Sequence, residues 1–351
     1  MTDLKDILYK VAINAVVGTT IIRVNKVEFD SRKVNQDDVF VAIRGSISDG
    51  HDFIEKAINQ GALAVICEKN PDVIVNGVTY IEVEDTQAAL AIMASNYYDS
   101  PSGNLKLVGV TGTNGKTTVA TLLFKLFKKA GFKVGLLSTV KILVDAEEYS
   151  ATHTTPDSLT INYYLKEMNK VGVEYCFMEV SSHGIHQKRT EGLQFAGGIF
   201  TNLSHDHLDY HNTFSEYRDV KKAFFDGLGK HAFALTNVDD KNGNIMLQNT
   251  KATKKSYSQR TLADYKVKVL EKNFSGMLLQ INHREIWVQL VGGFNASNLG
   301  AIYGVAKELG VEDLELLTAL SQLKSVDGRF QYQVSKTGVV SVVDMHIPQM
   351  P

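Results

Sequence analysis

Cysteine and proline are both scarce in this 351-residue chain, with 2 Cys and 5 Pro. Cys67 and Cys176 each sit inside an apolar run. That excludes a disulfide frame and reads as buried free thiols in a reducing compartment. No run is long and apolar enough to span a membrane; VAINAVVGTTII is too short and too polar. The residues ahead of it, with Asp3, Lys5, Asp6 and Lys10, lack the charge pattern of a signal peptide. A cytoplasmic protein without membrane insertion is expected. Charge of one sign is lacking too: the net charge of −2 argues against a general nucleic-acid binder. Repeats and low-complexity tracts are missing. What is present is 44% hydrophobic and 22% charged residues, enough for sizeable cores. The length suits two or three domains of about 100–200 residues each.

Residues 1–98 alternate strand-like and helix-like pieces. DVFVAIRG and ALAVICE read as strands around a helix in DFIEKAINQG, with Gly61 as its stop. AALAIMASNYY reads as a helix, and DSPSGN (99–104) collects turn formers and is the expected linker. A second unit opens with LKLVGV and continues through KVGLLSTV, EYCFMEV, AGGIFTNL and AFALTN, separated by helical segments. Strands alternating with helices imply a doubly wound, mostly parallel sheet, so the fold class is α/β. Around 263–291 the pattern turns to antiparallel-looking strands, GMLLQI and EIWVQLVG, followed by a helix in NASNLGAIYGVAKELG. A third unit is expected to begin near 333.

The strongest chemical signal is LVGVTGTNGKTTVATLLFKLFKKAG. It meets the G-x4-G-K-[ST] spacing only loosely; the tighter reading is Gly112, Thr113, Asn114, Gly115, Lys116, Thr117 and Thr118. Glycines let successive N–H groups point at a phosphate, and the following helix adds its positive end. Lys116 can reach the outer phosphates and Thr117 can hold Mg²⁺. Val119, Leu122, Leu123, Leu126, Phe127 and Ala130 form one apolar stripe for packing on the sheet.

FTNLSHDHLDYH carries His205, Asp206, His207, Asp209 and His211. It misses the H-x-H-x-D-H zinc hydrolase spacing by one residue. One His among carboxylates on Mg²⁺ fits a nucleotide enzyme better. In TFSEYRDVKKAFFDGL, Thr213 and Glu216 make a capping box. Helix spacing puts Lys221 beside Tyr217, Phe224 and Phe225, toward the apolar side. Lys222, with Arg218 and Asp226, falls on the solvated side. A lysine driven inward loses its proton more readily, and the plain alternative is a snorkelling side chain.

With these motifs in hand, the sequence resembles the Mur ligases of peptidoglycan synthesis, and among them the MurE type. The resemblance runs from about 27 to 344 on FDSRKV with DVFVAIRGSISDG, GVTGTNGKTT, HTTPDS, FMEVSSHGIHQKR, FTNLSHDHLDYHNTFSEYRDVKKAFF, GGFNASNLGAI and VDGRF. It implies an ATP-dependent amide ligase that adds an amino acid to UDP-N-acetylmuramoyl-L-alanyl-D-glutamate through an acyl phosphate, with ATP and Mg²⁺ as cofactors. The implied domains are a UDP-sugar-binding domain (1–98), an ATP-binding domain (99–332) and a stub (333–351) of a Rossmann-like domain otherwise missing. Ser31, Ser46, Ile47 and Ser48 would line the uridine diphosphate. His153, Thr154, Thr155, Ser181, Gln187 and Arg189 would hold the muramoyl-dipeptide. Glu179 and His207, with Thr117, would ligate Mg²⁺, joined by Lys221 as a carbamate. Asn295 and Asn298 would read the adenine, and Arg329 would meet the nucleotide. The choice between meso-diaminopimelate and lysine is not legible. The alternative is a non-catalytic nucleotide- and UDP-sugar-binding remnant, with a metallo-hydrolase behind it.

The remnant alternative turns on the ending, SVVDMHIPQMP. Pro348 and Pro351 are two of the 5 prolines and fall in the last four residues. Family members typically continue V-V-D-Y-A-H-T-P-D-A-L. Deleting one T from a coding string for its second part, GAT TAT GCA CAT ACC CCA GAT GCC CTG, makes it read D-M-H-I-P-Q-M-P, which is Asp344 to Pro351. The expectation is therefore a frameshifted, C-terminally truncated ligase that binds ATP and UDP-substrate but is catalytically impaired. Its last strand, at 338–344, would lack sheet partners.

Overall fold

The computed structural model describes residues 1–45, 48–204, 210–211, 213–334 and 340–344. The chain divides into two compact units. The first comprises Met1–Asn104, Pro156–Lys170 and His183–Leu193; the second comprises Leu105–Thr155, Val171–Ser182 and the chain from Gln194 onward. The first unit thus runs past the expected boundary at 98 and takes in two later segments. The expected linker is built into it as a 3-10 turn, Pro101–Asn104, where Asn169 donates a side-chain hydrogen bond to the Pro101 carbonyl.

In the first unit a five-stranded sheet runs in the order Ile13–Val17, Thr79–Val83, Ala64–Cys67, Val39–Val41, Val27–Glu28. The last four strands are mutually parallel and Ile13–Val17 is antiparallel. Both faces are covered, which explains the uninterrupted apolar runs in the sequence. Val39, Val41, Ile66 and Ile81 pack with Leu4, Ile7, Leu90 and Met93 on one face. Phe40, Val65 and Tyr80 pack with Val34, Ile54 and Ala57 on the other. Gly61 ends the Ile54–Asn59 helix at φ 107°, a conformation that L side chains rarely adopt. The carboxyl ends of the four parallel strands lead into loops along one sheet edge.

In the second unit an eleven-stranded sheet runs Glu147–Ser150, Lys141–Val144, Val134–Leu137, Tyr175–Glu179, Lys106–Thr111, Phe195–Phe200, Phe233–Asn237, Thr253–Ser258, Tyr265–Asn273, Gly276–Ile281, Arg284–Val288. The seven strands from Val134–Leu137 to Tyr265–Asn273 are parallel. The outer strands at both ends are antiparallel. The expected stripe of the Lys116–Lys129 helix is buried: Val119, Leu122, Leu123, Leu126 and Phe127 pack on Val108, Val110 and Phe177. On the opposite face, Gly109 and Gly198 leave room for Phe224 of the Phe214–Asp226 helix. A Cβ at Gly109 would lie 2.6 Å from the Phe224 ring. These two glycines let that helix, and Lys221 on it, approach the end of the central strand.

The strand near the end of the chain does have a partner. Val340–Val343 pairs antiparallel with Gln331–Val334, which corrects the expectation of an unpaired strand. The two strands are close in sequence, so the entropy cost of pairing them is small even without a larger sheet. Residues 345–351, on which the frameshift reading rests, lie outside the described residues.

Candidate functional site

The central strand Lys106–Thr111 runs into the loop Gly112–Gly115 and then into the Lys116–Lys129 helix. Two glycines make this loop possible. Gly112 has φ 146° and its Cα faces Thr201 so closely that a Cβ would sit 2.0 Å from the Thr201 hydroxyl. Gly115 has φ 88°, and a Cβ there would lie 2.8 Å from the Asn298 side-chain oxygen. The neighbouring strand end holds the loop in place. The Thr113 N–H donates to the Asn202 carbonyl (2.8 Å) and the Asn114 N–H to the Asn202 side chain (3.0 Å). Thr201 donates its hydroxyl to the Asn114 carbonyl (2.6 Å). Sequence reasoning did not single out Thr201 and Asn202. The usable signal was their position just past a strand that pairs beside the phosphate-loop strand.

Lys116 is buried and its ammonium donates to the carbonyls of Gly112 (3.0 Å) and Thr113 (2.8 Å). The Thr117 hydroxyl donates to Glu179 Oε2 at 3.0 Å, and the Thr139 N–H donates to Oε1 at 2.8 Å. Glu179, at the end of the strand beside Lys106–Thr111, is fully buried. Burial pushes its carboxyl above the usual range; Lys116, the Thr139 N–H and the Thr117 hydroxyl pull the other way without cancelling it. The Thr155 hydroxyl donates to the Glu179 carbonyl (2.9 Å) and accepts from the Ser181 N–H (2.9 Å), and Thr139 donates to the Thr154 hydroxyl (3.1 Å). The structure therefore brings Lys116, Thr117, Thr154, Thr155, Glu179 and Ser181 into one network. His153 is exposed and bonds to Thr152. Arg329 comes within 3.5 Å of the Thr117 hydroxyl.

Lys221 is 1% exposed, whereas Lys222 forms an ion pair with Asp226 at 2.6 Å. The Lys221 ammonium donates to the Gly112 carbonyl at 3.1 Å, the oxygen that Lys116 also uses, and lies 4.7 Å from the Tyr217 ring centre. Tyr217 is itself tied to the loop through the Thr113 hydroxyl (3.2 Å). Two lysines thus converge on one carbonyl. Asn295 and Asn298 sit buried in the first turns of the Gly293–Glu308 helix, with Asn298 donating to the Asn295 side chain at 3.0 Å. Beside Asn202, a polar cavity of about 250 Å³ is lined by Asn202, Asn237, Asp239, Asp240, Gln259, Arg260 and Ser297.

In the first unit Ser31 is buried and Ser48 exposed, both in loops at the carboxyl edge of the parallel strands. Arg189 donates twice to the Gln187 side chain (3.0 and 2.6 Å), and Lys188 between them pairs with Asp85 at 2.9 Å. His207, Ser46 and Ile47 lie outside the described residues, as do His205, Asp206 and Asp209. Cys67 and Cys176 are free and buried, and burial pushes the Cys67 thiol up to about 11.

The sequence profile of the Mur ligase middle domain matches residues 110–306, and that of the Mur ligase family catalytic domain matches residues 23–98. A protein from Phocaeicola vulgatus named UDP-N-acetylmuramoyl-L-alanyl-D-glutamate--2,6-diaminopimelate ligase is 51% identical over 98% of this chain and 72% of its own length. The chain belongs to the Mur ligase family. A protein of the same name from Clostridium tetani is 37% identical over 93% of the chain and 68% of its own length. Among solved structures, one of a ligase with that name superposes with a TM-score of 0.82 at 27% identity, covering 98% of this chain and 71% of that one. A MurF structure from Acinetobacter baumannii, at 19% identity and a TM-score of 0.63, shares the fold. In this Mur ligase, no helix among the described residues is long and apolar enough to cross a membrane.

Proposed function

We propose that this chain acts on UDP-N-acetylmuramoyl-L-alanyl-D-glutamate as an ATP-dependent ligase, with 2,6-diaminopimelate as the amino acid added. The support is the network around Gly112–Thr118, together with relatives of that name at about half identity over nearly the whole chain. A carboxylate does not react with an amine at neutral pH because oxide is a poor leaving group. The D-glutamate side-chain carboxylate therefore takes the γ-phosphoryl group of ATP, giving an acyl phosphate and ADP. The amine then attacks the acyl carbon, phosphate leaves, and the amine proton passes to solvent.

The chain's own groups supply positioning and charge. Gly112 to Thr118 cradle the phosphates, because neither glycine could carry a Cβ in this loop. Lys116, whose ammonium needs only a local swing from the Gly112 and Thr113 carbonyls, neutralises the outer phosphates. Asn295 and Asn298 read the adenine and Arg329 meets the nucleotide. His153, Thr154, Thr155, Ser181, Gln187 and Arg189 hold the muramoyl-dipeptide; Ser31, Ser46, Ile47 and Ser48 hold the uridine diphosphate. The donor set fits Mg²⁺: the Thr117 hydroxyl and Glu179 carboxylate are hard oxygen donors 3.0 Å apart, and a cation would offset the cost of a buried charge. His207 completes that set, with Lys221 after its neutral amine has added CO₂ and lost a proton to become a carbamate. Mg²⁺, when bound, neutralises charge on the transferring phosphoryl group.

Calorimetry tests this reading. The wild-type chain should bind both Mg·ATP and UDP-N-acetylmuramoyl-L-alanyl-D-glutamate, and Lys116→Ala should weaken Mg·ATP at least about tenfold while leaving the UDP-substrate affinity in place. Equal Mg·ATP affinity in both proteins would overturn the nucleotide assignment. Absence of UDP-substrate binding would overturn the substrate.

A further inference from the structure

The carboxyl ends of parallel strands are where α/β sheets place ligands, because loops from adjacent strands converge there. In the first unit that edge carries a dense cluster for which the ligase chemistry above has no role. Arg44 and Asp49, which follow Val39–Val41, form an antiparallel bridge. The Gly45 N–H donates to the Ser48 carbonyl (3.0 Å), and the Gly50 N–H to the Ile43 carbonyl (2.8 Å). The fit at Gly50 is tight, since a Cβ there would lie 2.6 Å from the Ile43 backbone.

His51 ties Asp49 to the end of the next strand. Its Nε2 accepts the Glu68 backbone N–H at 2.9 Å. A backbone N–H can only donate, so Nε2 carries no proton and Nδ1 does. Nδ1 then donates to Asp49 Oδ1 at 2.6 Å, and the same carboxylate oxygen accepts the His51 backbone N–H at 3.0 Å. Arg44 closes the circuit from the other stem, at 3.1 Å from Asp49 and 3.4 Å from Glu68. Glu68 in turn accepts the Thr86 hydroxyl at 3.2 Å. Both nitrogens of one neutral imidazole are therefore spent on joining Asp49, and with it the adjacent Ser48, to a strand end.

We propose that His51 is a positioning residue for the UDP-substrate: by linking Asp49 to the Glu68 backbone, it holds Asp49 and the adjacent Ser48 in the one geometry that presents Ser48 to the uridine diphosphate. This rests on the substrate reading above. Without the link, Asp49 and Ser48 sample other conformations, and apparent affinity falls in proportion to the competent fraction. The defect appears in binding of the UDP-substrate and spares the nucleotide.

The imidazole can be taken apart. In His51→Asn the amide reaches Asp49 but not Glu68; in His51→Gln the carbonyl oxygen reaches the Glu68 N–H and the Asp49 bond is lost. His51→Ala removes both. Calorimetry should show the affinity for UDP-N-acetylmuramoyl-L-alanyl-D-glutamate falling by about ten- to thirtyfold in His51→Ala and by less in each half-replacement, with Mg·ATP affinity at the wild-type value. A folded His51→Ala protein with wild-type UDP-substrate affinity would refute the proposal, as would equal losses for both ligands, the mark of a merely structural role. If His51→Ala does not fold, wild-type affinity in both His51→Asn and His51→Gln refutes it. If the wild type binds Mg·ATP but no UDP-substrate, the substrate reading falls first, and that result is separate from any effect of His51.

Discussion

Replacing Gly112 by alanine probes the phosphate loop by two separable routes. The first is backbone strain: φ is 146°, where L side chains rarely go, and holding a residue there costs about 1–3 kcal/mol. The second is overlap: the new Cβ would lie 2.0 Å from the Thr201 hydroxyl oxygen, and overpacking of that kind costs about 1–3 kcal/mol. Together these predict a loss of roughly 2–6 kcal/mol, or roughly 5–20 °C in the thermal midpoint of a unit of this size. Thr201→Ala removes the overlapping oxygen and loses its hydrogen bond to the Asn114 carbonyl, at a cost of about 1 kcal/mol. In the double variant the overlap is relieved and the strain remains. The double-mutant cycle should therefore show a favourable coupling of about 1–3 kcal/mol, while Gly112→Ala stays destabilising in either background. The recovery is incomplete because the Asn202 carbonyl oxygen and backbone nitrogen stand 3.0 and 3.1 Å from the same Cβ. Thermal unfolding of the four ligand-free proteins measures the cycle. Simple additivity, with a coupling below about 0.5 kcal/mol, would refute the account of why glycine is needed there.

Glu179→Gln should stabilise the ligand-free protein at neutral pH and abolish Mg²⁺-dependent ATP binding. The folded-state proton affinity of Glu179 is raised, so well below the unfolded carboxylate range both states are protonated and it contributes nothing. As pH rises from the unfolded carboxylate range to the raised folded value, the unfolded chain ionises first and the penalty for the buried charge grows; above the folded value it persists in full. Glutamine avoids it, turning its oxygen to the Thr139 N–H and its amide to the Thr117 hydroxyl. Thermal midpoints from pH 4 to 8 should diverge in favour of the variant as pH rises; a less stable variant at pH 8 would contradict this. The paired lysines should separate cleanly. Lys222→Ala loses one partly buried i,i+4 ion pair, about 0.3–0.5 kcal/mol, and leaves Mg·ATP affinity alone. Lys221→Ala should lower Mg·ATP affinity, with partial recovery on adding short carboxylic acids. The reverse ranking of the two lysines would count against the carbamate assignment.

Much of this protein is local, and local physics is what a sequence displays. The strand–loop–helix around Gly112–Thr118 was legible because glycine placement, Lys116, Thr117 and a helical stripe all occur within one short run. The burial of Lys221 over Lys222 followed from helical spacing, since Tyr217, Phe224 and Phe225 share a face with the first and Asp226 with the second. The alternation of strands and helices gave away a parallel sheet. Three things were decided only when distant segments met. Thr201 and Asn202 hold the phosphate loop from 80 to 90 residues away, through a strand pairing that no local pattern encodes. The inclusion of Pro156–Lys170 and His183–Leu193 in the first unit depends on which surface a helix finds, and apolar spacing says that a helix buries a face without saying against what. The sharing of the Gly112 carbonyl by Lys116 and Lys221 joins two helices that pack on opposite faces of the sheet. Hydrophobic period fixes elements because it is set by neighbours along the chain; the site is set by neighbours in space, and only the packed sheet brings those together.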